Sequence, residues 1–170
     1  MTLREKYGEW GIILGATEGV GKAFCERLAK EGMNVVMVGR REEKLKELGE
    51  ELKNTYEIDY KVVKADFSLP DATDKIFAAT ENLDMGFMAY VACLHSFGKI
   101  QDTPWEKHEA MINVNVVTFM KCFYHYMKIF AAQDRGAVIN VSSMTGISSS
   151  PWNGQYGAGK AFILKMTEAG

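Results

Sequence analysis

Short apolar runs alternate with longer amphipathic ones along this chain. Trp10 to Leu14 (WGIIL), Val35 to Val38 (VVMV), Tyr60 to Ala65 (YKVVKA), Phe87 to Ala92 (FMAYVA) and Ala137 to Val141 (AVINV) are predicted strands. Strands of a parallel sheet covered on both faces carry such near-continuous apolar runs. Between them Val20, Phe24 and Leu28 recur at i, i+4, i+8, and Leu45, Leu48 and Leu52 at i, i+3, i+7. Each set marks a helix with one buried stripe and a charged outer face. Parallel neighbours cannot be joined by tight turns, so the strand-helix order predicts right-handed crossovers and an α/β fold, a doubly wound parallel sheet of about five strands. No repeat, low-complexity tract or Pro/Gly linker divides residues 1–170, and one domain is expected.

A helix predicted from about Pro104 to Ala132 breaks the pattern. Met111, Val114, Val116, Val117, Phe119, Met120, Phe123, Tyr124, Met127 and Phe130 cover more than one of its faces, whereas a sheet covers only one stripe. The surplus is either deep core or a subunit interface, and a homo-oligomer is the expected assembly.

Composition narrows the function classes. A formal charge of -2 gives no bulk electrostatic reason to expect nucleic acid or an anionic membrane as partner. Cys25, Cys93 and Cys122 are odd in number and far apart, without CxxC or a His nearby at ligand spacing, so neither a disulfide framework nor a metal site is expected. The charged opening MTLREKYGEW and the lack of an apolar run of ~18 residues lead to the expectation of a cytoplasmic, non-membrane protein.

Candidate chemistry begins directly after the first predicted strand, at Gly15-Ala16-Thr17-Glu18-Gly19-Val20-Gly21. Glycines let the chain turn sharply and let a diphosphate approach the backbone, while the following helix N-terminus offers free N–H groups and positive potential. A dinucleotide phosphate suits such a turn; a tight strand-helix connection without ligand would use the same residues. After the second strand, where an acidic residue would hold a free ribose 2′-hydroxyl, the chain reads Val38-Gly39-Arg40-Arg41. Guanidinium groups match a 2′-phosphate in charge and fork geometry, favouring NADP(H) over NAD(H), although two solvated arginines opening a helix would read alike.

After the fifth strand, Ser142, Ser143 and Thr145 place hydroxyls at a strand's C-terminal end, the side on which open parallel sheets bind ligands. Tyr156 and Lys160 follow at i and i+4, sharing one helix face. A phenol must drop by about 3 in pKa, about 4 kcal/mol, to exchange protons near neutrality, and an adjacent ammonium favours that. A serine hydroxyl beside it could donate to a carbonyl oxygen that gains charge during hydride addition. Taken alone, a Tyr-Lys pair at this spacing is equally a solvated pair on a helix.

Together these residues resemble the short-chain dehydrogenases/reductases. Gly15, Gly19 and Gly21 match the family's Gly-xxx-Gly-x-Gly motif, and Tyr156 and Lys160 its Tyr-xxx-Lys. The family's serine lies thirteen residues before the tyrosine, which selects Ser143 over Ser142, and Asn115 matches its helix asparagine. The resemblance implies a Rossmann-like dinucleotide-binding domain. Tyr156 would protonate the carbonyl oxygen, Ser143 would position it, Lys160 would bind the nicotinamide ribose and lower the tyrosine pKa, and Asn115 would hold a proton-relaying water. It implies a cofactor site of Gly15, Thr17, Glu18, Gly19, Val20, Gly21, Arg40, Arg41, Asp66 and Ala92 with Tyr156 and Lys160, Asp66 touching the adenine ring. The stretch Lys6-Tyr7-Gly8-Glu9-Trp10 looks most like the hydroxysteroid dehydrogenase and long-chain 3-oxoacyl reductase branch, implying an apolar ketone or 3-oxoacyl substrate.

Two departures qualify the match. Tyr90-Val91-Ala92-Cys93 stands where the family carries Asn-Asn-Ala-Gly, replacing two bracing amides and a glycine; Cys93 and His95 are expected to be pocket or core residues. Family members also continue through two further strands and a lid, so the chain is expected to be C-terminally incomplete relative to them. The sequence thus predicts an oxidoreductase moving a hydride between NADP(H) and a carbonyl or secondary alcohol. The alternative is a non-catalytic NADP(H)-binding module.

Overall fold

In the computed structural model, which describes residues 1–148 and 150–170, five parallel strands form one sheet in the order β3-β2-β1-β4-β5. The strands are β1 (Trp10–Leu14), β2 (Asn34–Gly39), β3 (Tyr60–Lys64), β4 (Met85–Tyr90) and β5 (Ala137–Asn140). Pairing is in register from Ile12 against both Val36 and Met88 to Leu14 against both Val38 and Tyr90. Around them run α1 (Leu3–Tyr7), α2 (Gly19–Lys30), α3 (Glu42–Tyr56), α4 (Ala72–Thr80), α5 (Trp105–Ile112), α6 (Phe119–Ala132) and α7 (Gly154–Ala169).

Period-two alternation divides the core between the two faces of the sheet. Ile13, Val35, Met37, Phe87 and Ala89 point to one face and pack with Leu28 of α2 and Leu45, Leu48 and Leu52 of α3. Ile12, Leu14, Val36, Val38, Met88 and Tyr90 point to the other, against Ile76 of α4, Phe119 and Phe123 of α6 and Ile163 of α7. The central strands β2 and β4 are buried throughout, while β3 and β5, at the sheet's edges, are half covered, with Ile139 exposed.

Several expectations need correction. Val20 is 53% exposed, because it sits in the first turn of α2 beyond the sheet, and the buried stripe begins lower. The long helix is interrupted: Asn113–Thr118 takes a π-helical turn between α5 and α6. Its apolar surplus divides, with Met111, Val114, Phe119, Phe123 and Phe130 in the core and Ile112, Val117 and Tyr124 exposed. The run Phe87 to Ala92 pairs only to Tyr90, after which the Val91 and Ala92 amides both turn to the Leu14 carbonyl at 2.8 Å.

Candidate active site

The sheet order reverses between β1 and β4, and a cleft of about 300 Å³ opens at their C-terminal ends. Its floor is made by backbone. The Gly15 and Ala16 amides bond the Val38 carbonyl at 2.9 and 3.1 Å, tying the glycine turn to β2. Gly15 has φ +99°, and a Cβ there would lie 2.6 Å from the Ala92 nitrogen. A side chain on Gly21 would overlap the Gly15 carbonyl oxygen, so α2 can start this close beneath the turn only with glycine. Gly19, at φ +55°, has nothing within 4 Å on the side where a Cβ would stand. Open space over the first turn of a twelve-residue helix is the geometry that a diphosphate needs.

Of the predicted cofactor residues, Gly15, Thr17, Glu18, Arg40, Arg41, Asp66 and Ala92 line this cleft, joined by Phe67, Ser68, Cys93 and Leu94. Gly19 and Val20 lie exposed at the start of α2, and Gly21 is buried beneath. Arg41 pairs with Glu18 across the mouth at 2.9 Å. Burial pushes the Asp66 carboxyl up, but the Ser68 amide and hydroxyl, at 3.0 and 2.7 Å, together with the Arg40 charge, outweigh it and hold Asp66 below its ordinary value. The cleft thus has a cationic end at Arg40 and Arg41 with an ionised carboxylate facing it. These residues fit a nicotinamide dinucleotide: an open glycine turn at a helix start suits a diphosphate, and the cationic end suits further negative charge.

Beyond Cys93 the predicted catalytic residues come together. Lys160 is 1% exposed and donates from Nζ to the Val141 carbonyl at 2.7 Å, at the end of β5. The Nζ sits 5.8 Å from the centre of the Tyr156 ring, as i, i+4 neighbours on α7 should. The Ser143 side chain lies near enough to the phenol to favour its ionised form. Asn115, 1% exposed, accepts from the Leu94 amide at 3.1 Å and donates to its carbonyl at 2.7 Å. Its Cβ faces Gly159, where an added Cβ would lie only 2.9 Å away, so Asn115 packs one residue from Lys160.

One reading changes here. Burial pushes the Tyr156 phenol up and Cys93 adds to this, with Ser143 working against them; the net direction is upward, not the lowering expected from Lys160. The physical reason is the burial of the phenol itself, which outweighs the other influences, while burial also disfavours the charged form of Lys160. Cys93 and His95 are both exposed, and of the two expected places, pocket and core, they take the pocket: Cys93 lines the cleft and His95 a neighbouring hollow with Leu94 and Met111. The His95 ring stands 5.8 Å from the Tyr156 ring, at 64°, and 5.6 Å from Phe97.

The structure also explains what replaces the family's bracing asparagine. Tyr90 is fully buried and donates from its hydroxyl to the Val114 carbonyl at 2.6 Å. Val114 lies in the π-helical turn. Tyr90 therefore ties β4 to the turn that presents Asn115. The sequence signal was the Tyr-for-Asn departure itself, which showed a lost amide but not the new partner. Among the described residues no group of three or more His, Cys, Asp or Glu is placed to hold a metal ion. Likewise no helix there is long and apolar enough to cross a membrane.

The short chain dehydrogenase family model matches residues 9–170. A 7β-hydroxysteroid dehydrogenase from Collinsella aerofaciens is 83% identical over 169 residues, covering 99% of this chain and 64% of that protein. One from Clostridium sardiniense is 45% identical over 168 residues, with the same coverage, 99% and 64%. A solved 7β-hydroxysteroid dehydrogenase structure superposes with a TM-score of 0.98 at 83% identity, covering 99% of this chain and 67% of the other. The chain thus spans just under two thirds of the length of the curated relatives it matches. Since the family match runs unbroken from β1 through the glycine turn to the helix of Tyr156 and Lys160, this chain belongs to the short-chain dehydrogenase/reductase family.

Proposed function

We propose that this chain moves a hydride between NADP(H) and a ketone or secondary alcohol on an apolar substrate, specifically a steroid oxygenated at the 7β position. The observation that carries this reading is the meeting of Ser143, Tyr156 and Lys160 beside Cys93, itself a lining residue of the cleft that presents Arg40 and Arg41. When bound, the nicotinamide dinucleotide supplies or accepts the hydride. The chain's residues handle the proton. A phenol whose pKa is raised keeps its proton at neutral pH, so Tyr156 is set to protonate a carbonyl oxygen, and Ser143 steadies that oxygen by hydrogen bonding. Preference for NADP(H) follows from two guanidinium groups standing where a free 2′-hydroxyl would call for a carboxylate.

The steroid assignment has two supports. The relatives at 83% and 45% identity are named 7β-hydroxysteroid dehydrogenases. Around Tyr156, Phe97, Met144, Ile147 and Trp152 are all exposed, and the Gly98 amide bonds the Trp152 carbonyl at 3.0 Å, joining the loop of Phe97 to the approach to α7. A rigid apolar slab is the substrate shape such a rim would cover. Ile112, Val117 and Tyr124 on the α5–α6 side support self-association, which light scattering would detect.

The test is NADPH oxidation with 7-oxo steroids beside titration of NADPH binding. Turnover that disappears in Tyr156→Phe while binding persists is the expected result. Tight NADPH binding without turnover of any ketone would assign the chain to the nucleotide-binding modules instead.

A further inference from the structure

Ser143 Oγ accepts two hydrogen bonds from one neighbour: the Thr145 amide at 3.3 Å and the Thr145 hydroxyl at 3.0 Å. A serine hydroxyl has one proton to give and two lone pairs to receive with. With both lone pairs engaged, the proton is what Ser143 has left to offer the site. Donation is the polarity demanded of a group that steadies a carbonyl oxygen gaining negative charge.

Thr145 is itself held against the helix of Tyr156 and Lys160. A Cβ on Gly157 would lie 2.8 Å from the Thr145 carbonyl oxygen, and one on Gly146 would lie 2.8 Å from the Lys160 carbonyl carbon. Ser142 donates to the Lys160 carbonyl at 2.7 Å. The turn Ser142–Gly146 therefore lies on the same turns of α7 that carry the phenol and the amine. Thr145 stands at the junction, its carbonyl against Gly157 and its hydroxyl on Ser143.

We propose that Thr145 is a positioning residue for the carbonyl reaction: it fills the lone pairs of Ser143 and so fixes that hydroxyl as a hydrogen-bond donor aimed at the substrate oxygen. The assignment rests on the reading of this chain as a carbonyl oxidoreductase. Thr145 need touch neither substrate nor cofactor, and its effect passes through Ser143 alone.

The test compares Thr145→Val, which keeps shape and loses the hydroxyl, with Thr145→Ser, which restores it, in the chain at its natural length. In Thr145→Val the expected kcat for ketone reduction falls about tenfold, from the loss of one hydrogen bond that matters in the transition state. KM for NADPH and the melting temperature stay at wild-type values. Because Ser143 opposes the rise of the Tyr156 pKa, the rising limb of alcohol oxidation moves to higher pH. Thr145→Ser should recover kcat to within about twofold and return the limb to its place. The assignment is overturned if Thr145→Val keeps wild-type kcat and pH profile while Tyr156→Phe is inactive, which leaves the oxidoreductase reading intact. It is overturned as well if Thr145→Ser is as impaired as Thr145→Val with a lowered melting temperature, the mark of a packing role. A wild-type chain that binds NADPH yet reduces no ketone overturns both readings together.

Discussion

The two ends of the site are built in different materials. At the proposed nucleotide end, position is fixed by backbone: amides of Gly15, Ala16, Val91 and Ala92 bond carbonyls of neighbouring strands, and β1, β2 and β4 lie in the buried middle of the sheet. At the proposed proton-handling end, position is fixed by side chains on α7 and at the tip of β5, a half-exposed edge strand: Lys160 on Val141, Ser142 on the Lys160 carbonyl, Thr145 on Ser143. The difference teaches where each end is vulnerable. A backbone cradle tolerates changes of side chain except where a Cβ cannot be placed, and such changes damage fold and binding together. A side-chain constellation can lose its chemistry to one missing atom with no change in stability.

The largest expected effect separates the two. Tyr156→Phe removes one oxygen, leaving the ring contact with His95 in place, and should cost a factor on the order of 10³ in kcat, about 4 kcal/mol. NADPH affinity and melting temperature should not move. A melting temperature that falls along with kcat would break the contrast, because it would make Tyr156 part of the scaffold. The wild-type pH profile bears on the same atom. With the phenol pushed upward by burial, the protonated acid persists across neutral pH, so ketone reduction should stay flat from about pH 6 to 8 and decline only on the alkaline side. Alcohol oxidation, which needs the phenolate, should rise with pH over the range in which reduction declines.

Gly21→Ala tests the other material. The added methyl would meet the Gly15 carbonyl oxygen, a backbone atom already fixed by the bonding of the turn to Val38, so relief requires moving the cradle. Overpacking of this kind costs about 1–3 kcal/mol, and the upper end is expected here. Urea denaturation should show that loss, and NADPH titration should weaken in parallel. Loss of binding at unchanged stability would mean that the turn deforms locally and is not part of the rigid sheet.

This contrast also explains what could be read from the sequence. Strand β1 was predicted residue for residue, and all five strands were found, because apolar runs and the glycines between them record backbone requirements directly. Ser143, Tyr156, Lys160 and Asn115 were reached through spacing and family resemblance, and the fold brings them together. Three things stayed hidden. Helix α1 had a local signal, the capping box Thr2 to Glu5, within a charged stretch too short to show periodicity. The π-helical turn carries no hydrophobic signature, since one extra residue in a turn leaves Val114 and Phe119 apolar and buried. The direction of the Tyr156 shift depends on how deeply phenol and amine are buried, which a spacing of four residues does not encode.

Tyr90→Phe is the intermediate case, since Tyr90 belongs to the buried sheet but its hydroxyl holds the turn that carries Asn115. Deletion leaves the Val114 carbonyl without its partner in a dry environment, at a cost of about 1–3 kcal/mol in stability by chemical denaturation. A loss of kcat beyond what Asn115 can absorb through its two bonds to Leu94 would show that the two ends are coupled through β4.

The smallest effect is expected at the mouth of the nucleotide end, where side chains do enter. Glu18 lies 2.9 Å from Arg41, but the two are 74% and 44% exposed, so the pair adds little to stability. Its consequence is for the ligand: the carboxylate occupies a guanidinium proposed to meet a 2′-phosphate and adds a negative charge beside the diphosphate path. Glu18→Gln should leave the melting temperature unchanged and tighten NADPH by roughly two- to fivefold, less at high salt. NADH, which has no 2′-phosphate, should gain less. Equal gains for both dinucleotides would place Arg41 away from the 2′-phosphate and leave Arg40 to carry the preference alone, and no gain for either would take the Glu18 charge out of the cleft's electrostatics.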